Sequence, residues 1–348
     1  MTIIFWQNCT SIHQYPLLSQ LSKLGVKVIQ VVEELVPQER AAMGWIVPDA
    51  EYKVFLFSEV NVHHVIDQHP DAFHVFSGFN AFRRVSEVFR ELYSLSPKRC
   101  FVFQERPDLR GFKGQLRWLA YRWYCLRFKN VGAILAAGSI SFFRSMTSRI
   151  PIIPFPYYVY PPNSCAIQTP RNSGLVRFVF VGALIPRKNI SGMCEAFART
   201  KGPWDLTIIG DGIEARHVDA LKGARPDCNV TRVGFLNNAD IGLILNESDC
   251  LVLPSLMDGY GVVVNEAALC GLRILCSIAA GSAEHLKELT LENWFVDPRQ
   301  IEDLSKYIDQ VLDLGQMDAT ERLRRMNAAT ELLPEEGARL LLRTLVLR

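Results

Sequence analysis

The chain has 348 residues, a length that favours two domains over one. Hydrophobic residues make up 49% of it and charged residues 21%, which suits a compact α/β protein and excludes an intrinsically disordered chain. The formal net charge is only +2, so we expect no nucleic-acid partner for the chain as a whole.

Short apolar runs alternate with helix-like patterns through the first half of the chain. Predicted strands lie at residues 3–6, 27–32, 53–57, 72–76, 99–103 and 131–136, and predicted helices lie within 11–24, at 80–92, at 112–129 and from 139. This alternation predicts a doubly wound parallel sheet. A proline-rich segment at 150–163 and the polar run after it mark a boundary, which places the first domain at residues 1–165.

The same alternation starts again in the second half. Predicted strands lie at residues 177–181, 204–209, 229–233, 250–253 and 272–276, and predicted helices lie at 189–199, 238–245, 262–270 and 302–314. We therefore predict a second doubly wound domain at residues 166–333 and a C-terminal helix within 334–348.

The cysteines show neither CxxC nor Cys/His ligand spacing, and four histidines between residues 63 and 74 share no helix face. We therefore expect no metal site. Cys100, Cys250 and Cys276 fall in apolar strand-like runs, which is typical of reduced core thiols in a cytoplasmic protein. The chain begins with the apolar run TIIFW without a basic leader, and no apolar run is long enough to span a membrane.

One strand–loop–helix–strand unit, residues 250–277, carries most of the recognisable chemistry. Gly259 and Gly261 in its loop let backbone N–H groups approach a ligand closely, and the start of the following helix favours a phosphate. Asp258 and Glu266 bracket this loop, and carboxylates accept hydrogen bonds from hydroxyl groups. A phosphate site between two such carboxylates matches the order of groups in a sugar nucleotide; a solvated loop with two surface acids is the alternative.

The loop resembles the donor-site signature of retaining GT-B glycosyltransferases of family four, the glycosyl transferases group 1. That pattern is an acid, glycine, an aromatic residue, glycine, and Glu eight positions after the first acid; here it reads Asp258, Gly259, Tyr260, Gly261 and Glu266. The family usually has Glu first, so Asp258 is a shorter version. The resemblance implies the GT-B fold, with two Rossmann-like domains, a cleft between them and a last helix that returns to the first domain.

The loop VGALIPRKN, which follows the first strand of the second half, also resembles the family. Gly182 gives a tight exit from the strand, and Arg187 and Lys188 place two cations near the strand ends, where ligands bind in open α/β sheets. Lys188 matches the family lysine, but Ala183 stands where the family has Arg. That Arg187 replaces the missing cation is a hypothesis, and a solvated basic loop is the alternative.

Two more loops of the second half resemble family positions. Gly210 lies in IIGDGIE, which lacks the third glycine of a dinucleotide fingerprint and so argues against NAD. Gly234, Phe235 and Leu236 stand where family members hold the nucleotide base, largely through the backbone. A plain strand-exit turn is the alternative for this second loop.

The first half departs further from the family, and its acceptor-side candidates are His13, Gln104 and Glu105. His13 lies in the first loop, CTSIHQ, where the family commonly has a glycine pair, and a structural role is the alternative. Gln104 and Glu105 follow the strand after which many members carry a histidine. Glu105 is predicted either to orient an acceptor hydroxyl or to pair with an arginine.

The resemblance implies a retaining glycosyltransferase that needs neither metal nor cofactor beyond its nucleotide-sugar donor. Lys188 and Arg187 would hold the diphosphate, the amides from Gly259 to Val262 the phosphate and sugar, Asp258 the sugar hydroxyls and Glu266 the ribose. The expected acceptor is a glycan or a lipid-linked glycan in bacterial lipopolysaccharide, O-antigen or capsule synthesis. Two other classes remain open: a GT-B-type sugar-nucleotide epimerase and a non-catalytic sugar-nucleotide-binding protein.

Residues 110–129 contain six cations, no acid and several interleaved aromatic residues. One interpretation is a core helix with a basic outer edge, since the aromatic residues spread over more than one helix face. The other is docking on an anionic bilayer, which would make the protein peripheral on the cytoplasmic membrane face.

Overall fold

The computed structural model describes residues 1–162, 174–287, 289 and 292–346. The chain divides into two compact units. The first comprises Met1–Ala41, Ile46–Val159 and Leu332–Arg348, and the second comprises Ala42–Trp45 and Tyr160–Glu331. The boundary predicted after residue 165 lies outside the described residues.

The first unit is built on a seven-stranded parallel sheet. Its strands are β1 (Thr2–Cys9), β2 (Lys27–Glu34), β3 (Lys53–Leu56), β4 (Phe73–Ser77), β5 (Cys100–Glu105), β6 (Ala133–Ala137) and β7 (Ile152–Pro154), in the order β3-β2-β1-β4-β5-β6-β7. The helices between them are α1 (Tyr15–Lys23), α2 (Gln38–Ala42), α3 (Val62–Asp67), α4 (Arg83–Leu95), α5 (Gly111–Arg127) and α6 (Ile140–Met146).

The central strand β1 shows why this sheet is covered on both faces. Ile4 and Trp6 point into one apolar cluster, whereas Ile3 and Phe5 point into the other. All four side chains are buried, as expected for a strand whose alternating residues each meet a layer of helices.

The second unit repeats this design with a six-stranded parallel sheet. Its strands are β8 (Arg177–Val181), β9 (Asp205–Ile209), β10 (Asn229–Val233), β11 (Cys250–Leu253), β12 (Arg273–Ser277) and β13 (Trp294–Val296), in the order β10-β9-β8-β11-β12-β13. Its helices are α7 (Ile190–Ala198), α8 (Ala215–Ala224), α9 (Asn238–Glu247), α10 (Val263–Leu269), α11 (Ser282–Leu286), α12 (Ile301–Leu314) and α13 (Ala319–Ala328). The predicted fold class, two doubly wound α/β domains, is confirmed.

The last helix, α14 (Pro334–Val346), belongs to the first unit and packs against α1. Ala338, Leu341 and Leu345 of α14 are buried in the same apolar cluster as Leu18 and Leu21 of α1. The end of the chain therefore completes one face of the sheet with which the chain begins.

A buried ionic cluster ties α13 to the second sheet. Arg273 on β12 donates from Nε and Nη2 to the two carboxylate oxygens of Glu321, at 3.1 and 2.6 Å. Arg325 donates from Nε to Glu321 at 3.0 Å, and both arginines are almost fully buried. Burial acts to raise the pKa of Glu321, but the hydrogen bonds from Arg273 and Arg325 outweigh it and the pKa is lowered. Two buried guanidinium groups thus depend on one carboxylate.

Replacing Glu321 by Gln should lower the free energy of unfolding near neutral pH by about 3 kcal/mol, because it leaves two buried cations without a counter-charge. The pKa of Glu321 is lowered in the folded protein, so its contribution is present above the ordinary Glu pKa and is lost as pH falls through the folded value. Urea unfolding of wild type and variant at neutral and acidic pH should show the difference shrinking in acid.

Glu302→Gln is the matched control, since Glu302 pairs with Arg199 at an exposed position and its loss should change stability little. A Glu321→Gln variant as stable as this control at neutral pH would contradict the assignment.

Candidate functional site

Four loops of the second unit meet at one edge of its sheet. The strands β10, β9, β8 and β11 are parallel neighbours, so the loops that follow them leave from the same edge. These loops contain Gly234, Gly210, Gly182 and Asp258, which are among the predicted donor-site residues. The topology therefore brings together residues spread over a long stretch of sequence.

Backbone conformation and a close backbone approach explain why two of these positions are glycine. Gly182 has φ +152 and Gly210 has φ +134, values that L side chains rarely adopt. A Cβ on Gly210 would lie 2.1 Å from the carbonyl oxygen of Gly182, so the loops after β8 and β9 touch through bare backbone. The end of β10 is held beside them, because the Gly210 N–H donates to the carbonyl of Val233, the last residue of that strand, at 2.9 Å.

The loop after β8 ends in a single 3₁₀ turn, Pro186–Lys188, followed by Asn189. Asn189 has φ +58 and is the one residue other than glycine with positive φ in the part of the chain that the structure describes. Its Nδ2 donates to the Pro298 carbonyl at 2.8 Å, which anchors this left-handed residue. The anchor fixes the direction in which Lys188 leaves the turn, a role that we did not predict for Asn189.

Lys188, Arg187 and Asp258 form one ionic cluster. Lys188 Nζ lies 2.5 Å from Asp258 Oδ2, and Arg187 Nη1 lies 3.6 Å from Asp258 Oδ1. Lys188 and Asp258 are both buried, whereas the Arg187 side chain is 44% exposed. The Leu256 N–H also donates to the Arg187 carbonyl at 2.8 Å, so the two loops are held together by backbone as well as by charge.

This cluster combines two roles that the sequence suggested separately. The cations were assigned to a diphosphate and Asp258 to sugar hydroxyls, yet in the structure Asp258 is the counter-ion of both cations. The three side chains carry a net charge of +1, which favours an anionic ligand. A carboxylate has about four lone-pair positions, so Asp258 retains the capacity to accept from hydroxyl groups while it pairs with Lys188.

The loop after Asp258 is shaped by Gly261 and Tyr260. Gly261 has φ +86, and a Cβ there would lie 2.9 Å from Leu253 Cδ2. The Tyr260 side chain is buried, where its hydroxyl accepts from Asn265 Nδ2 at 2.9 Å. The aromatic residue of the motif therefore supports the loop from inside, and its backbone is the part available to a ligand. Gly259 and Val262 flank this segment, and Val262 is the N-cap residue that precedes α10.

Glu266 lies in the first turn of α10 and is partly exposed. Burial raises its pKa to about 7. Over the described residues no ion pair neutralises Glu266. Hydrogen bonds donated by ligand hydroxyls would stabilise the charged form of a carboxyl group with these properties.

The predicted base-binding loop follows β10. Phe235 is 41% exposed, Gly234 is also exposed, and Leu236 is half-buried. A Cβ on Gly234 would meet nothing within 4 Å, so no close protein contact requires glycine there. The exposed Phe235 ring does not pack in the core, which is compatible with stacking on a planar ligand.

In the first unit, Glu105 is paired with a tyrosine. The Tyr157 hydroxyl donates to Glu105 Oε1 at 2.5 Å. Burial raises the pKa of Tyr157 well above its ordinary value, and the neighbouring Glu105 carboxylate raises it further. The phenol therefore stays protonated and remains a hydrogen-bond donor. The His13 ring lies edge-on to Tyr157 with centroids 6.0 Å apart. Gln104 is buried, and its Nε2 donates to the Glu105 carbonyl at 3.1 Å.

A chain of hydrogen-bonded glutamines leads toward this pair. Gln30 on β2 donates to Gln7 on β1 at 2.5 Å, and Gln7 donates to Gln14 at the start of α1. The Gln14 side chain is in turn a hydrogen-bond partner of Tyr157. Tyr157 and these glutamines were not predicted; polar residues inside otherwise apolar strands were the available signal.

The described residues contain no group of three or more His, Cys, Asp and Glu side chains that could hold a metal ion. All eight cysteines that the structure describes are buried with free thiols.

Comparison with known proteins gives one family. Residues 167–331 match the family described as glycosyl transferases group 1. The O-antigen chain mannosyltransferase B of Escherichia coli is 25% identical over 143 residues, which are 38% of this chain and 36% of that protein. A glycogen synthase of Mycobacterium tuberculosis is 27% identical over 175 residues, 49% of this chain and 41% of that protein. The chain thus spans well under half the length of the curated relatives it matches.

Solved structures match over the whole chain. Anabaena Alr3699/HepE in complex with UDP-glucose has a TM-score of 0.68 and 14% identity, with 100% of each chain covered. WaaG, a glycosyltransferase involved in lipopolysaccharide biosynthesis, has a TM-score of 0.59 and 16% identity, with 97% of this chain and 98% of that chain covered. These likenesses show the fold, the GT-B fold that the sequence predicted.

Asp258→Asn should bind a nucleoside diphosphate at least as tightly as wild type, because it releases both cations from their internal counter-ion. Lys188→Ala should bind it more weakly, because it removes the buried cation. Isothermal titration calorimetry measures both affinities, with melting temperatures as the control for folding. Equal losses of affinity in the two variants would contradict this division of roles.

Nucleoside diphosphate affinity should also rise between about pH 6 and about pH 8 as Glu266 loses its proton, since its pKa is raised to about 7 and the carboxylate accepts from two hydroxyls at once. Glu266→Gln keeps the shape but cannot titrate, so it should retain only the shallow pH dependence of the phosphates. If the affinities of the two proteins changed with pH in the same way, Glu266 would not be part of the binding site.

Proposed function

We propose that the protein is a retaining glycosyltransferase, a proposal supported by the match of residues 167–331 to the glycosyl transferases group 1 family. It transfers a sugar from a nucleoside-diphosphate sugar to a glycan or lipid-linked acceptor. The observation that carries the proposal is the cluster of Lys188, Arg187 and Asp258 at the sheet edge where the four loops meet.

The donor is held by groups of the second unit. Lys188 and Arg187 bind the diphosphate, with Arg187 replacing the family cation that is absent at Ala183. Asp258 accepts from the sugar hydroxyls and Glu266 from the ribose, while the backbone from Gly259 to Val262 adds N–H donors. The UDP-glucose bound by HepE, which shares this fold, supports a nucleotide-sugar donor for this chain.

The chemistry is a displacement on one face of the sugar ring. The bond between the anomeric carbon and the diphosphate oxygen breaks, and the bond to the acceptor oxygen forms on the same face, which retains the configuration. The acceptor proton passes to the departing phosphate oxygen. Lys188 and Arg187 stabilise the negative charge that develops there, so the reaction proceeds without a bound metal.

The acceptor belongs to a bacterial surface polysaccharide, such as lipopolysaccharide, O-antigen or capsule. The O-antigen mannosyltransferase and WaaG support this choice. Glu105 is the acceptor-side carboxylate, and Tyr157 positions it by donating to Oε1. Synthesis of a lipid-linked glycan places the protein at the cytoplasmic membrane face.

Lys188→Ala should reduce turnover about a hundredfold or more, because one donor to the leaving phosphate is lost. Sugar transfer is measured by chromatography of the products, with and without EDTA. Lys222→Ala, an exposed lysine on α8, is the matched control and should keep wild-type turnover. A Lys188→Ala variant with wild-type turnover, or activity that is lost in EDTA and restored by a divalent ion, would contradict the proposed chemistry.

A panel of nucleotide sugars separates this function from its alternatives. Thermal shift identifies the donor, since a ligand at 100 times its dissociation constant stabilises by about 2.7 kcal/mol. The identified donor is then incubated alone and with lipid-linked acceptors. Transfer supports the proposal, conversion of the donor without acceptor indicates an epimerase, and binding without either reaction indicates a non-catalytic protein.

A further inference from the structure

The helix α5 has two opposite apolar faces, only one of which packs on its own domain. The packed face contains Gly114, Tyr121, Tyr124 and Cys125, and Phe128 continues it just beyond the helix end. Tyr124 and Phe128 stack on Phe79, and Tyr121 contacts Phe143 edge-on. These contacts satisfy the requirement that a surface helix bury one apolar stripe.

The outward face carries a second stripe of large apolar side chains. Its members share one orientation because they recur at intervals of four and three residues. This outer stripe consists of Phe112 (73% exposed), Leu116 (50%), Leu119 (57%), Trp123 (55%) and Leu126 (59%). The sequence predicted either a core helix with a basic outer edge or a membrane-docking helix; the structure packs one face of α5 and leaves both cations and this outer stripe exposed.

Cations border this outer stripe. At about 100° per residue, Lys113 and Arg127 fall on one side of it and Arg122 falls on the other. Arg122 also donates to the Met146 carbonyl at 2.5 Å, which holds its guanidinium near that border. The helix contains no acidic residue, so no charge within it offsets these cations.

This combination points to one kind of partner. A second copy of the chain docked on the outer stripe would bring two sets of cations together, which is unfavourable. An anionic lipid surface offers both an apolar interior for the stripe and negative charge for its borders. No helix in the described part of the chain combines the length and the apolar character of a membrane span.

We propose that α5 lies flat in the headgroup region of an anionic bilayer, with the outer stripe inserted and its bordering cations on the lipid phosphates. Trp123 sits in the stripe and Trp118 is also exposed, and tryptophan favours this interfacial depth. The inference rests on the proposed function only in what membrane binding would serve, which is access to a lipid-linked acceptor. The surface itself is defined without reference to catalysis.

Vesicle binding tests the inference on the full chain. The probes are vesicles of phosphatidylcholine alone and of equal parts phosphatidylcholine and phosphatidylglycerol. Wild type should co-sediment with the anionic vesicles only, and less as salt rises. Brominated lipids should quench its tryptophan fluorescence, and Trp123→Phe should lose much of that quenching.

Matched variants separate the stripe from general surface effects. Leu116→Ser combined with Leu119→Ser should reduce binding at least tenfold, whereas Leu95→Ser, an equally exposed change at the end of α4, should not. Lys113→Glu combined with Arg122→Glu should reduce binding similarly, whereas Arg84→Glu on α4 should not. Stripe variants that bind as well as wild type would overturn the proposal.

Two further results would also overturn it: equal binding, or none, to neutral and anionic vesicles, and a wild-type dimer that the stripe variants convert to monomer. Nucleoside diphosphate binding is measured on the same preparations. If the protein binds nucleoside diphosphate but not vesicles, only the membrane surface is rejected. If it binds vesicles but not nucleoside diphosphate, only the proposed transferase function is rejected.

Discussion

The contact between Lys188 and Asp258 is the interaction on which the candidate site depends. Each side chain is buried, and each charge compensates the other, because an isolated buried ion loses its hydration without compensation. The pair joins loops that leave neighbouring strands, β8 and β11. The left-handed Asn189 and the hydrogen bond from Leu256 to the Arg187 carbonyl hold those loops in the register that the contact requires.

The same contact sets the charge that a ligand meets. With Asp258 between them, Lys188 and Arg187 present one net positive charge and not two. In the proposed function a diphosphate shares these cations with an internal carboxylate, which costs less than leaving the buried Lys188 without a counter-charge in the free protein. Arg187 lies beside Lys188 through its contact with Asp258, which supports the proposal that it supplies the second cation although residue 183 is alanine.

Much of the fold and part of the site could be predicted from the sequence. Alternating strands and helices predict parallel sheets, and parallel sheets bring loops such as those containing Gly182 and Asp258 to one edge. The pairings across long separations could not be predicted. Lys188 and Asp258 are 70 positions apart, and Tyr157 and Glu105 are 52 apart. No local propensity links such residues, so the partner of Glu105 became known only from the packing.

The helix α5 shows the same limit in a different form. Apolar stripes on opposite faces cancel in any measure of amphipathicity, so the sequence of α5 does not show which of its two apolar faces packs inward. Burial of both faces would also bury Lys113, Arg122 and Arg127, the cations that separate them, and the helix contains no acidic residue to compensate them. Only one stripe can therefore pack inward. Tyr121 and Tyr124 take that place beside aromatic neighbours, and the stripe with Trp123 is left for a partner that combines an apolar interior with negative charge.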